Sequence, residues 1–233
     1  MLAARNSNTD STEGAVAQLL EHESGSEVAR MQDNERWTAL MYAAFYSGTA
    51  STEGTVAQLL AHESGFDVAR MQEEDGWTAL MIAAADSSAG STEGTVAQLL
   101  AHESGSEVAR MQSIYGWTAL MLAIRNSGAD STEGTVAQLL THESSSSVIS
   151  LLNHNGETTL DIAVGSDKCT PTLLHMLCAH TSSQEIQRVF EKFPRKFDSY
   201  LIHLHERVRE RDTTSRAFKE GIQVSGSIIL TYL

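Results

Sequence analysis

The chain has 233 residues, 41% hydrophobic and 20% charged, with a formal net charge of −14. That composition suits a folded soluble protein, and no apolar run approaches the roughly 18 residues of a membrane-spanning helix. The charge is lopsided, −14 over residues 1–150 and 0 over 151–233, so the first two thirds repel nucleic acid and anionic lipid and suit a basic protein partner.

A period of 40 residues runs through that acidic part. Trp37, Trp77 and Trp117 follow it, as do Met1, Met41, Met81 and Met121. The block Ser-Thr-Glu-Gly-x-Val-Ala-Gln-Leu-Leu begins at Ser11, Ser51, Ser91 and Ser131. A fixed period in this range marks stacked repeats, in which no unit buries its apolar face alone. It also argues against catalysis, because a nucleophile and its base form one constellation and do not recur down a chain.

Met1-Leu-Ala-Ala-Arg-Asn-Ser aligns with Met121-Leu-Ala-Ile-Arg-Asn-Ser, so residues 1–36 read as a truncated unit starting inside a first helix. The start shows no secretory signal. The next unit, 37–76, predicts two helices. Thr38 caps the first, and Leu40, Ala43 and Ala44 share a face; Ser47-Gly48 ends it. Ser51 is the expected cap of the second, with Glu53 in its first turn and Val56, Leu59 and Leu60 as the buried stripe. Ser64-Gly65 is expected to stop it, and a loop of about ten residues then leads to the next Trp. Units 77–116 and 117–156 repeat the scheme.

These residues carry a family resemblance. Gly76-Trp-Thr-Ala-Leu-Met-Ile-Ala-Ala84 resembles the ankyrin signature Gly-x-Thr-Pro-Leu-His-x-Ala-Ala, and Val56-Ala-Gln-Leu-Leu60 resembles its second helix. The Gly-Trp-Thr-Ala-Leu-Met wording is similar to long ankyrin-repeat proteins of some anaerobic protists, some of which carry a kinase domain. The fold implied is an all-α, ankyrin-type helix-turn-helix solenoid. The family unit has about 33 residues. The extra ones here fall in Thr49–Gly54 and around Ser64–Gln72. Alanine replaces the family's proline. Met41, Met81 and Met121 stand where the family often has a cross-bonding histidine. Arg36 replaces the glycine of Gly76, Gly116 and Gly156, at a cost of roughly 1 kcal/mol if that site is left-handed.

Residues 157–181 read as a degenerate terminal repeat, from Glu157-Thr-Thr-Leu-Asp-Ile-Ala163, and 182–233 as a C-terminal helical cap. Thr170-Pro171 starts a helix with Leu173, Leu174, Leu177 and Cys178 on one stripe. Ser182 or Ser183 starts another, with Ile186, Val189, Phe190 and Phe193 on one face. A third is expected near 195–212. The tail 227–233 stays unassigned.

Candidate chemistry is thin. His22, His62, His102 and His142 recur with the repeat and read as a surface ladder. Cys169, His175, Cys178 and His180 could ligate zinc, but Cys178 sits on the apolar stripe, and a buried structural cysteine is the simpler reading. Two cysteines make no disulfide framework and fit a reducing, cytoplasmic setting. His205-Glu206-Arg-Val-Arg209 misses the zinc-protease pattern, because Arg209 replaces its second histidine. Arg195, Lys196, Arg207, Arg209 and Arg211 alternate with acids as helical ion pairs do. No cofactor, metal or small-molecule substrate is expected.

The Trp ladder, identical in each unit, reads as packing. Two patches differ between copies: the end of the first helix, and the return-loop tips Asp33–Arg36, Glu73–Gly76, Ser113–Gly116 and Asn153–Gly156. The resemblance places both on the concave binding surface. The partner-binding residues expected are Tyr42, Phe45, Tyr46, Glu74, Ile82, Asp86, Ile114, Tyr115 and Arg125. The function expected is a non-catalytic scaffold for another protein with a basic surface, without nucleic acid or membrane. The alternative is a regulatory or targeting segment of a larger enzyme such as a kinase.

Overall fold

The computed structural model describes residues 1–7, 10–128 and 130–195, with backbone alone for 10–13. It holds fifteen helices and no strand among these residues. In chain order they are α1 (Leu2–Arg5), α2 (Asp10–Glu21), α3 (Gly25–Arg30), α4 (Ala39–Tyr46) and α5 (Glu53–Ala61). Then come α6 (Gly65–Arg70), α7 (Ala79–Ala85), α8 (Glu93–Ala101), α9 (Gly105–Arg110) and α10 (Ala119–Arg125). The last are α11 (Glu133–Thr141), α12 (Ser145–Val148), α13 (Thr159–Gly165), α14 (Pro171–His180) and α15 (Ser183–Lys192).

The first helices α4, α7 and α10 pack side by side. Thr38, Thr78 and Thr118 cap them, each hydroxyl accepting from the amide three residues on, at 3.2, 3.3 and 3.2 Å. Apolar residues surround these helices because neighbours enclose them. Leu40, Met41, Ala43 and Ala44 have no exposed surface, nor do Leu80, Met81, Ala83 and Ala84. Alanine at the contact lets helix axes approach closely.

The second helices α5, α8 and α11 form another row. Their cap is Thr52, Thr92 and Thr132, not the preceding serine: Thr55 N donates to Thr52 Oγ1 at 3.1 Å. Ser51 has a different task. Its amide closes the loop onto the Tyr46 carbonyl at 2.7 Å, and its buried hydroxyl meets Ser7 Oγ at 2.9 Å. The same contact recurs between Ser47 and Ser91 at 3.3 Å, and Thr95 Oγ1 donates to Ser47 at 2.7 Å. Buried hydroxyls thus satisfy one another across the stack, as burial of a polar group requires.

The expected return loop is in fact a third short helix, α3, α6 and α9, shortened to α12 in the last copy. The second helix stops at Ala61, and Gly65 opens the third helix instead of ending the second. The turn between them is tight. Gly65 N bonds to His62 O at 2.7 Å, and a Cβ on Gly65 would lie 2.0 Å from Leu60 O. His62 Nδ1 accepts from Ser64 N at 3.2 Å and lies 2.7 Å from Ser64 Oγ. His102 and His142 repeat this arrangement. The histidine ladder therefore braces the turn between helices.

At the far end α13 packs on α10, α14 on α11, and α15 on α13. Thr170 caps α14 with Pro171 in the first turn, and Ser182 caps α15. Leu173, Leu174, Leu177, Ile186, Val189 and Phe190 are buried. The expected helix near 195–212, the 227–233 tail, the His205 segment and the basic residues from Lys196 onward lie outside the described residues.

Candidate partner-binding face

The loop tips are built by one recurring device. Asp33 Oδ1 accepts from Glu35 N at 3.0 Å and Trp37 N at 2.8 Å. Ser113 Oγ accepts from Tyr115 N and Trp117 N at 3.3 and 3.1 Å. Asn153 Oδ1 takes the Asn155 and Glu157 amides at 2.9 and 3.0 Å, and Glu73 Oε1 takes the Trp77 amide at 2.9 Å. Four residue types at one site supply one acceptor. Their variation is neutral to the turn, which the plain comparison of copies does not reveal. The signal available was chemical: every residue found there is a side-chain acceptor.

The tips stack by backbone bonds. Ile114 N donates to Asp75 O at 2.9 Å and His154 N to Tyr115 O at 3.0 Å. Gln72 Nε2 bridges Gly76 O at 2.5 Å and Gln112 O at 3.1 Å, and Gln112 does the same one unit on. Gly76, Gly116 and Gly156 have φ of 78°, 78° and 73°. Arg36 takes the same conformation at φ 65°. There the tip-to-tip bond, Glu74 N to Glu35 O, stretches to 3.4 Å.

The expected binding residues separate into three groups. Glu74, Ile114 and Tyr115 are exposed on adjacent tips, the last two at 51% and 55%. Tyr42, Phe45 and Tyr46 gather at one end with Trp37. Trp37 lies 5.1 Å from Tyr42 and 5.9 Å from Phe45, and Phe45 lies 4.8 Å from Tyr46. Arg5 stacks on the Tyr46 ring at 5.0 Å. The Tyr42 hydroxyl is committed: it donates to Asp33 Oδ2 at 2.7 Å. That carboxylate raises the phenol to about 12. Burial pushes Asp33 up, but Tyr42 and the tip amides outweigh it and leave it below its usual range.

Ile82 is a correction. It is 3% exposed and belongs to the core, so its side chain is not offered to a partner. It occupies the Tyr42 position in α7, a helix enclosed between α4 and α10, and packs inward there. Asp86 and Arg125 are also partly engaged. Burial raises the Asp86 carboxyl against the opposing Gly90 amide, and the Arg125 guanidinium sits 5.0 Å over the Trp117 ring. Trp37, Trp77 and Trp117 are half-buried against the core.

The Cys169, His175, Cys178 and His180 set is not assembled, since no group of three or more potential metal ligands gathers among the described residues. Neither cysteine is in a disulfide, and both are half-buried. A groove near the C-terminal end is lined by Ile149, Leu152, Thr158, His180, Glu185 and Arg188. Its charged members are bound to each other, Arg188 to Glu185 at 2.6 Å, which makes it a structural seam. No described helix is long and apolar enough to cross a membrane.

The family described as ankyrin repeats matches residues 48–134 in three copies. That stretch is a run of ankyrin repeats, and its helical stack is the one described above. Repeats of this family generally serve as protein–protein interaction modules and are typically non-catalytic. A comparison with curated proteins returned no match.

Proposed function

We propose that this solenoid is a non-catalytic scaffold that binds a protein through its loop tips, centred on Ile114 and Tyr115. The observation that carries the reading is their exposure side by side on a backbone-bonded ladder, with Leu152, 53% exposed, one unit further on. Beside them stand the exposed acids Glu35, Glu74 and Asp75. A partner segment pairing an apolar anchor with lysine or arginine fits that pattern, since complementary charge sets register and on-rate. Phe45, Tyr46 and Arg125 widen the face, and Tyr42 supports it through Asp33.

The test is affinity capture followed by titration of the captured partner. Tyr115→Ala is expected to weaken binding by about 2 kcal/mol, near 30-fold, without moving the melting temperature. Trp77→Ala is expected to lower the melting temperature first. A Tyr115→Ala protein that melts early yet binds normally would place the interface elsewhere.

A further inference from the structure

The residue 1 end of the stack exposes what the internal units bury. Leu19 occupies in α2 the place that Leu59, Leu99 and Leu139 occupy in α5, α8 and α11. Those three are 2%, 2% and 5% exposed, and Leu19 is 46% exposed. Leu2 is 73% exposed, whereas its counterparts Ile82 and Leu122 are 3% and 1%. Among the described second helices, each internal one packs between an earlier and a later one, whereas α2 has only the later one, α5, beside it. The exposed leucines therefore mark the side on which an earlier second helix lies in every other unit.

A polar feature of the same face says what kind of surface completes it. In the internal units a glutamate from the preceding second helix rests on the start of the next. Glu53 Oε1 accepts from Thr92 Oγ1 at 2.5 Å, and Glu93 Oε1 from Thr132 Oγ1 at 2.5 Å. The glycine after the helix start makes room for that carboxylate. A Cβ on Gly94 would meet Glu53 Oε1 at 2.2 Å, and one on Gly134 would meet Glu93 Oε1 at 2.3 Å. A carboxylate at a helix N-terminus is favoured by the exposed amides and the helix dipole. At Gly14, the equivalent residue of α2, no atom of the described residues lies within 4 Å of such a Cβ.

We propose that this face is a stacking surface for a further repeat of the same Thr-Glu-Gly type. Its second helix covers Leu19, its first helix covers Leu2, and its glutamate lies over Gly14. The leucines alone would accept any apolar surface. The open place at Gly14 selects one that also brings a carboxylate, as the repeat of this chain does.

Residue 1 aligns with residue 121, so a copy of residues 81–120 placed directly before Met1 of the full chain supplies such a unit in register. Amide exchange over Gly14–Arg30 is expected to slow by about tenfold or more in the extended chain. Leu19→Glu is expected to depress the melting temperature more in the extended chain than in the original, because only there does it meet a partner helix. Glu→Ala at the appended copy's glutamate is expected to reverse part of the slowing. Unchanged exchange on extension would overturn the proposal, as would a Leu19→Glu cost equal in both chains. Sedimentation of the original chain is expected to show a monomer; a dimer that Leu19→Glu dissolves would assign the face to a second copy instead.

Discussion

Arg36 shows how much one residue can be asked to bear. It holds a φ of 65° that its counterparts meet as glycine, and L residues other than glycine, asparagine and aspartate rarely stay there without cost. Its departure from the repeat was visible in the sequence; the stretched Glu74–Glu35 bond was not, because it depends on how neighbouring tips touch. Arg36→Gly is expected to raise stability by roughly 0.5–1 kcal/mol in urea unfolding, after the entropy of the freer unfolded chain is counted. The converse at Gly76 is expected to cost more, since a Cβ there would lie 2.8 Å from Ile114 N. Equal effects at both sites would mean that tip stacking adds nothing. Tyr42 offers a second residue-level test. Phenolate absorbance is expected to show a component titrating near 12, removed by Tyr42→Phe. Any stability this phenol adds is present below its ordinary pKa near 10 and lost as pH rises through about 12. A high-pH component that survives Tyr42→Phe would break the assignment to the Asp33 bond.

At the scale of the element, the first helices were legible because Thr-Ala-Leu-Met with alanines is both a cap and an enclosed helix. The third helix was hidden, since Gly-Ser-Glu-Val-Ala-Arg is six residues long and starts with a helix breaker. Glycine stands there for a steric reason that local pattern does not carry. The turn brings residue 105 against the Leu100 carbonyl, leaving 2.0 Å for any Cβ. Ser145 occupies the same place in the last copy, and the turn opens: its amide bond to His142 O is 3.0 Å where the others are 2.7 Å, and α12 shrinks to four residues. Gly105→Ala is therefore expected to cost about 1–3 kcal/mol, the range for forcing backbone apart in a packed region. Chemical denaturation measures it, and a loss under about 0.5 kcal/mol would show that the turn yields freely. The exposed Arg30–Asp67 and Arg70–Glu107 pairs that tie successive third helices contribute little individually. The rows of buried hydroxyls and leucines carry the coupling between units.

Across the whole molecule, the repeat was written plainly in the chain, while the exposure of the proposed binding residues was legible only in part. Variation between copies pointed to the tips at Ile114 and Tyr115, whose side chains are exposed. It could not separate them from Ile82, since inward or outward direction follows from the neighbouring helix rather than from the residue. The C-terminal end carried a further signal. Asp161 stands where Met41, Met81 and Met121 stand in the repeats, and it is 2% exposed. A carboxylate replaces a buried thioether because α15 lies over it. Lys192 Nζ reaches Asp161 Oδ1 at 3.1 Å, Arg188 pairs with Oδ2, and Thr158 donates to Oδ2 at 2.9 Å. Burial raises this acid, but its cationic and hydroxyl partners prevail and hold it down to about 2. The folded pKa is depressed, so the stability it gives is present above the unfolded value near 3.9 and is lost as pH falls through about 2. The shift is worth about 2–3 kcal/mol at neutral pH. Because stacked units stabilise one another through their neighbours, loosening α15 is expected to reach α13 and then α10. Urea unfolding of the protein and its Asp161→Asn variant between pH 6 and pH 2 tests this. The gap between them is expected to be widest above about pH 4 and to close toward pH 2. A gap that stays constant over that range would mean that Asp161 acts through shape alone and that its ion pairs do not secure the end of the stack.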